Sequence, residues 1–393
     1  MAGTTDILKD MLSMLLARQG FQAPARIWRR SLAGAGFSPV VFIKSLWWMS
    51  ILLERKQGFS LKDTNGEHIV YNYYLSLQYH LEGNYNEAVK LIKAMLDKIP
   101  GNAGARYLLA DSLAASGDTE GAFAALKGLE RREYTWIKLE GYVNNEQDLS
   151  RLEALYKDSL STGAIDGRSA KTLECIALAA QKCGMYDRAI KIIDEIKDKG
   201  LTLKPNKSPG LNRRLAGSAL RALYDICDSL GLKLFIVSGT LLGYIREGGF
   251  LEHDNDIDTG LFEGFDEKAL IDRIRHSGVF LIIPRRSRYF LRIKHINGAA
   301  IDIFTHYTTG DDCWHGGVKV TWHNSKFGLK QIDYLGVPMY IPDNPQLYLE
   351  ENYGRNYMQK VTNFDSATDC PNGKIDNEQE FRIYMMKKAL QAH

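Results

Sequence analysis

The pattern of apolar and polar positions changes near residue 210. After it, residues 213–229 carry apolar side chains at helical spacing, which predicts an amphipathic helix. A short apolar run at 234–237 follows, then a Gly-rich turn and alternating helix and strand signals. Before it, residues 200–209 contain Gly, Ser and two Pro and are typical of a linker. We therefore predict an α+β protein, in which an α-helical region precedes an α/β domain at 210–393.

The region before the linker contains a repeated motif. GNYNEA at 83–88 and GDTEGA at 117–122 have their first glycines 34 residues apart, and GMYDRA recurs at 184–189. A 34-residue period with Gly, and then a small residue five positions on, resembles the tetratricopeptide repeat, in which each unit is a pair of helices. We predict TPR-like helical repeats over 68–203, which either present a face for a protein partner or only pack on the catalytic domain.

The N-terminal segment 1–67 is predicted to be helical, basic and aromatic. Its most apolar run, 39–53, has 15 residues and includes Lys44, whereas a membrane span needs about 20 apolar residues. Residues 1–60 hold eight Lys or Arg against three acidic residues. This excess predicts either peripheral contact with an anionic membrane or a core helix with solvated flanks.

Composition narrows the choice of partners and compartment. The 393 residues include 50 Lys plus Arg and 47 Asp plus Glu, and the net charge of +3 gives no support to nucleic acid as a partner. The five cysteines are scattered and form no CxxC pair, so neither a structural zinc site nor a disulfide framework is expected. We expect a cytoplasmic protein, placed at the inner face of the membrane if residues 1–60 bind lipid.

The candidate chemistry begins at the acidic sequence DNDID, residues 254–258. Alternate residues of a strand share a face, so Asp254, Asp256 and Asp258 are expected on one side. Three like charges repel unless a cation offsets them, and hard divalent ions such as Mg²⁺ or Mn²⁺ prefer carboxylate oxygen. Taken alone, such a run is equally typical of a solvated turn with helix-capping aspartates.

A further carboxylate, Asp302, lies inside the apolar sequence AAIDIF at 299–304. A buried carboxylate without a partner is costly, so Asp302 needs a metal or a cation nearby unless it stands at the edge or end of a strand. If its strand neighbours the DNDID strand, Asp256, Asp258 and Asp302 form a three-carboxylate metal site.

These ordered motifs resemble a known group of enzymes. A strand that ends in GT, a DxD strand and a later single Asp are similar to the DNA-polymerase-beta-type nucleotidyltransferase fold. SGTLLGYIREGGFLEHDNDID at 238–258, IDIF at 301–304 and YLEENYGRNYM at 348–358 together resemble the LicD/fukutin family of phosphotransferases. The resemblance covers about residues 212–360.

The resemblance implies an enzyme that carries out metal-dependent phosphoryl transfer. Members move a phospho-alcohol (phosphocholine, ribitol phosphate or glycerol phosphate) from a CDP-activated donor to a hydroxyl of a cell-surface glycan or a lipid-linked saccharide. Carried over to this sequence, it implies Mg²⁺ or Mn²⁺ held by Asp256, Asp258 and Asp302. Either Asp254 or Asp302 would take the proton of the acceptor hydroxyl.

The same resemblance implies contacts to the phosphates of the donor. The Gly239 backbone and the Thr240 hydroxyl would position a phosphate, and Arg246 would clamp it with two hydrogen bonds. Arg292 and Lys294 alternate on the strand before AAIDIF, where one of them would touch the donor. The alternatives are a surface ion pair for Arg246 and a solvated strand face for Arg292 and Lys294.

Two other functions fit these motifs. A nucleotidyltransferase would use the same acids to move an NMP from an NTP to a protein or small molecule, and it would release pyrophosphate. A non-catalytic TPR adaptor would keep only a degenerate transferase domain. The intact set of carboxylates argues against the adaptor.

Overall fold

The chain forms two compact units. The structure is a computed structural model, and it describes residues 69–167, 169–204, 210–251, 254–361 and 363–391. The basic segment 1–67 and its predicted membrane contact lie outside the described residues. Within the described ranges, no helix is both long enough and apolar enough to cross a membrane.

One unit contains a series of short helices. Its repeat region consists of α1 (Ile69–Leu81), α2 (Tyr85–Lys98), α3 (Ala103–Ala115), α4 (Thr119–Leu126), α5 (Glu133–Tyr142), α6 (Glu146–Ser161), α7 (Ala170–Lys182) and α8 (Tyr186–Asp198). Three consecutive pairs pack closely, α1 with α2, α3 with α4 and α7 with α8, as the repeat period predicts, whereas α5 packs mainly against α7. The pair α5 and α6 is joined at 143–145 without the Gly of the repeat motif, and it is the degenerate copy.

Each repeat motif forms the turn between the two helices of a pair. Gly83, Gly117 and Gly184 have φ of +81°, +92° and +72°, in the left-handed region that favours glycine. The small residue five positions later lies in the first turn of the second helix and is fully buried in all three copies (Ala88, Ala122 and Ala189). The predicted helical repeat region is therefore confirmed, together with the physical reason for both motif positions.

The other unit, within 210–377, is built on a mixed sheet. Its helices are α9 (Arg213–Ser229), α10 (Ser238–Glu247), α11 (Glu267–Ser277) and α12 (Pro345–Tyr353). Its strands are β1 (Phe235–Ile236), β2 (Asp256–Phe262), β3 (Phe280–Ile282), β4 (Phe290–His295), β5 (Ala300–Thr309), β6 (Asp312–Gly316), β7 (Val320–Ser325), β8 (Leu329–Tyr334), β9 (Val337–Pro342) and β10 (Gly373–Ile375). Helix α9 has the bounds that its apolar spacing predicts, and Asn212 caps it by accepting a hydrogen bond from the Leu215 amide at 3.1 Å.

Strand β5 is the centre of this sheet. The strand order is β10-β7-β6-β5-β2-β1-β9-β8, and β4 also pairs with β5 and with β3. The pairs β2–β5 and β1–β9 are parallel, and the other strand pairs are antiparallel. The α+β class is confirmed: among the described residues, one unit is built of helices, and the other combines the mixed sheet with four helices.

The last helix, α13 (Glu378–Ala389), belongs to the helical unit and not to the sheet domain. The Gln181 amide donates to Glu380 at 2.8 Å, and Lys387 Nζ lies 2.7 Å from Glu174 Oε1. The predicted domain at 210–393 thus contains a last helix that packs with the helical unit, and the sheet unit itself ends at residue 377. A periodic sequence shows that a helix has an apolar face, but it does not show which unit covers that face.

Helix α13 provides a stability test of this assignment. Ile383 is fully buried, so Ile383→Ala is expected to lower the free energy of unfolding by about 2 to 5 kcal/mol because it opens a cavity. Met385→Ala, on the same helix at a side chain that is 41% exposed, is the control and should change it by about 0.5 kcal/mol or less. Hydrogen exchange should show loss of protection in α7 and α8 for the first variant. Lost protection confined to the sheet would contradict the assignment.

Candidate active site

The parallel pairing of β2 with β5 brings the predicted acidic residues together. Asp258 lies opposite Asp302, and Asp256 lies opposite Ala300. Because side chains alternate along a strand, Asp256 and Asp258 share a face, and Asp302 projects from the same side of the sheet. The predicted adjacency of the two strands is confirmed, and the three carboxylates line one cleft.

The cleft has a volume of about 740 Å³ and a mixed lining. Acidic, cationic and aromatic side chains share it, and its acidic residues are Asp254, Asp256, Asp258 and Asp302. Its cationic residues are Arg246, Arg285, Arg286, Arg292 and Lys319, and its aromatic residues include Phe290, Trp322, Tyr353, Tyr357 and Phe364. Such a combination suits a ligand that carries both anionic groups and a ring.

Negative charge is concentrated at the acidic side of the cleft. Burial, and then the charge of Asp256, raise the pKa of Asp254 to about 7. Burial, and then the charge of Asp302, raise the pKa of Asp256. The pKa of Asp258 is raised well above its usual range, by burial first and by the charges of Asp256 and Asp254. Burial and mutual repulsion thus both disfavour the charged forms of these acids, a pattern that is common at functional sites.

Arg292 is the cation that contacts this cluster directly. It lies opposite Asp302 in the antiparallel pair β4–β5. Its Nε and Nη2 donate to the two oxygens of Asp302 at 2.6 and 2.5 Å, and Nη2 also donates to Asp256 Oδ2 at 2.8 Å. The hydrogen bonds to Asp302 raise the pKa of Arg292, so the guanidinium stays charged. The buried Asp302 is thus satisfied by a cation, as its apolar surroundings require.

Carboxylate oxygens are suitable ligands for a hard divalent ion. With Arg292 bound to two of these acids, however, their arrangement is not that of a metal site. Among the described residues, no group of three or more His, Cys, Asp or Glu is arranged to hold a metal ion. Yet Asp254 Oδ2 is buried and has no hydrogen-bond donor in the described part of the chain. Unpaired carboxylate oxygen beside two further acids is the donor set that Mg²⁺ and Mn²⁺ prefer.

Gly239 and Thr240 both form hydrogen bonds with Asp258. The Gly239 amide donates to Asp258 Oδ2 at 3.0 Å, and the Thr240 hydroxyl accepts from the Asp258 amide at 2.8 Å. Thr240 is fully buried and is not one of the described residues that line the cleft. The phosphate contact of Thr240 stays a prediction, and in this structure its hydroxyl bonds to the protein backbone instead.

The absence of a side chain at Gly239 also has a local reason. A Cβ there would lie 3.1 Å from Asp254 Oδ2 and 3.3 Å from Asp258 Oδ2. These distances are shorter than ordinary contacts, so a methyl group would press directly on two carboxylates. Gly239 keeps the predicted close approach of the backbone, but the group it approaches is the acidic cluster.

The two remaining predicted cations differ in position. Arg246 lines the cleft with a side chain only 9% exposed, and its Nε lies 3.6 Å from Glu247 Oε1. That Nε has no hydrogen-bond partner among the residues that the structure describes. Lys294 lies opposite Ala300 on β4, is exposed, and is absent from the described lining of the cleft. Arg246 therefore remains a candidate for anion binding, and the structure gives Lys294 no place in the cleft.

Sequence reasoning missed part of the cleft wall. Arg285 and Arg286 follow β3, and Lys319 precedes β7, and all three lie in segments without a recognisable motif. Asn352, Tyr353, Asn356 and Tyr357 also line the cleft. These four residues belong to the motif YLEENYGRNYM. The presence of that motif could have predicted that α12 and the turn after it lie at the site.

Comparison with known families agrees with this geometry. Residues 231–344 match the family described as LicD/FKTN/FKRP, nucleotidyltransferase domain, and this range includes the acidic cluster and Arg292. Residues 79–135 match the tetratricopeptide repeat. The chain is therefore similar to the LicD-type nucleotidyltransferase domain over 231–344 and to the tetratricopeptide repeat in the region before it.

Individual relatives point to one member of that family. The chain is 24% identical over 173 residues to "Ribitol-5-phosphate transferase FKTN" of Mus musculus, 41% of this chain and 37% of that protein. The same protein of Macaca fascicularis is 24% identical and that of Homo sapiens 23% identical over the same length. The chain is thus homologous to fukutin, and the match spans little more than a third of the length of these relatives.

The structural role of Thr240 can be separated from ligand binding. Thr240→Val leaves the buried amide of Asp258 without its acceptor, so the free energy of unfolding should fall by about 1 to 3 kcal/mol. Thr240→Ser keeps the hydroxyl and should lose less. Urea unfolding measures the free energy of unfolding of both variants. A Thr240→Val protein with wild-type stability that has lost only the binding of CDP would instead restore the phosphate contact.

Proposed function

We propose that this chain is a metal-dependent phosphotransferase. It moves a phospho-alcohol (phosphocholine, ribitol phosphate or glycerol phosphate) from a CDP-activated donor to a hydroxyl of a cell-surface glycan. The observation that carries the proposal is the juxtaposition of Asp256, Asp258 and Asp302 in one cleft, within the segment that matches the LicD family. The homology to a ribitol-5-phosphate transferase supports the choice of a phospho-alcohol as the transferred group.

Asp256, Asp258 and Asp302 are the residues that would hold a divalent ion in this proposal. When bound, Mg²⁺ or Mn²⁺ supplies positive charge to the diphosphate of the donor and to the departing nucleotide. The Gly239 amide and the Thr240 hydroxyl fix Asp258 for this purpose, since each bonds to a different part of that residue. Their contribution is orientation of the carboxylate before the substrate arrives.

Cationic side chains of the cleft bind the donor. Arg246 offers a nearly buried guanidinium whose Nε lies 3.6 Å from Glu247 Oε1 and has no hydrogen-bond partner among the described residues, and a phosphate oxygen is a suitable acceptor for it. Arg286 and Lys319 add positive charge to the same cleft. The aromatic rings of the wall provide surfaces on which the base or a sugar packs.

Asp254 accepts the proton of the acceptor hydroxyl. Its Oδ2 lies in the cleft wall and, within the described residues, receives no hydrogen bond, whereas both oxygens of Asp302 are occupied by Arg292. A new bond joins the acceptor oxygen to phosphorus, the bond from phosphorus to the CMP oxygen breaks, and the electron pair leaves with CMP. Asp254 and Asp302 are the two candidates for the general base, and the geometry therefore favours Asp254.

The proposal is tested by the product that the enzyme releases. The protein is incubated with Mg²⁺, each CDP-alcohol and a glycan acceptor, and CMP is measured. Asp256→Asn should lower the rate of CMP release by about 100-fold or more, because one charge that acts in the transition state is removed. Asp272→Asn, an exposed acid on α11, is the matched control and should have no effect.

Other results would lead to a different function. Undiminished CMP release by Asp256→Asn would refute the role of the acidic cluster. Pyrophosphate release from an NTP, without CMP release from any CDP-alcohol, would favour a nucleotidyltransferase.

A further inference from the structure

Arg292 occupies the space between two of the carboxylates that the proposed function assigns to the metal. Its Nη2 lies 2.5 Å from Asp302 Oδ2 and 2.8 Å from Asp256 Oδ2. A divalent ion that binds oxygens of both residues has to approach each to about 2.0 to 2.6 Å. The guanidinium and the ion therefore compete for the same oxygens, and they cannot both bridge Asp256 and Asp302.

The surroundings of Arg292 allow it to leave this position. The side chain is 43% exposed, whereas that of Asp302 is only 6% exposed. The buried Asp302 carboxylate is thus fixed in the cleft wall, whereas the Arg292 side chain that covers it faces the open cleft. The backbone of Arg292 stays in place through the pairing of β4 with β5, so a displaced guanidinium remains within the cleft.

A displaced guanidinium has an obvious second use in this cleft. It carries five N–H donors in a planar fork, which matches the geometry of phosphate oxygens. Once freed from Asp302, those donors need new acceptors, and the diphosphate of a nucleotide donor supplies them. Binding of the ion and binding of the donor are then linked through one side chain.

We propose that Arg292 is a displaceable counter-ion that neutralises Asp256 and Asp302 in the free protein, yields them to the divalent ion, and then binds the diphosphate of the donor. This inference rests on the proposed function. It assigns to the site an order of events: the ion enters first, and its entry creates the binding site for phosphate. The protein without metal therefore keeps its acidic cluster paired and binds the donor weakly.

Metal binding to the protein without donor tests the competition. Mn²⁺ is titrated into the full chain, and the free ion is counted by electron paramagnetic resonance. Arg292→Gln should bind Mn²⁺ about 10 to 100 times more tightly than the wild type, since the ion no longer displaces a charge-assisted ion pair. Arg275→Gln is the matched control: that side chain is also 43% exposed and also pairs with an acid, Asp272, on α11. It should bind Mn²⁺ as the wild type does.

CDP binding tests the second half of the proposal. In the wild type, saturating Mn²⁺ should increase the affinity for CDP, and in Arg292→Gln this increase should be at least about tenfold smaller, because the freed guanidinium is missing. Arg292→Lys keeps a charge but loses the fork, and it should lie between the two. Circular dichroism confirms that each variant is folded, and Arg292→Lys carries the test if Arg292→Gln is not.

The outcomes distinguish this inference from the proposed function. Equal or weaker Mn²⁺ binding by Arg292→Gln overturns the inference, because Arg292 would then only hold the acids in place for the ion. If the wild type still releases CMP, the proposed function survives that result. Tighter Mn²⁺ binding by Arg292→Gln without CMP release from any CDP-alcohol supports the inference and removes the proposed function. Absence of Mn²⁺ binding to both proteins overturns both.

Discussion

The structure of the cleft depends on keeping several carboxylates close together in a partly buried wall. Like charges in such surroundings repel, and burial adds to the cost of each one. The raised pKa values of Asp254, Asp256 and Asp258 show that this cost is only partly offset. The parallel register of β2 and β5 imposes the arrangement, and Arg292 on the third strand supplies the nearest positive charge. Such a balance is maintained where a cation or phosphate is to be bound.

Much of the protein around this cluster serves to orient it. The first turn of α10 delivers the Gly239 amide and the Thr240 hydroxyl to Asp258, and its first residue, Ser238, has φ of +48°. A serine in the left-handed region is held there against its own preference. The same turn begins the longest motif of the LicD resemblance, so this motif specifies how the carboxylates are held as well as the carboxylates themselves.

The elements predicted from sequence are those set by short-range patterns. The alternation in DNDID and the lone Asp302 in an apolar strand predicted that Asp256, Asp258 and Asp302 share one face of adjacent strands, whereas Asp254 precedes β2. The Gly and Ala of the repeats located the helix pairs. The features that the sequence does not determine depend on contacts distant in sequence. The partner of Thr240 is a backbone amide 18 residues away, and the unit that receives α13 is set by side chains such as Gln181, 199 residues from Glu380. The direct ion pair of Arg292 with two of the acids follows from the register of β4, which alternation alone does not determine.

The most direct test of the account is the position of a metal ion in crystals of the full chain grown with Mn²⁺ and CDP. An anomalous difference map locates the manganese independently of the refined coordinates. The account predicts one strong peak bound by oxygens of Asp256, Asp258 and Asp302, with the guanidinium of Arg292 turned from Asp302 to the diphosphate. A peak elsewhere, or manganese at the acids with Arg292 still bridging Asp256 and Asp302, would contradict it.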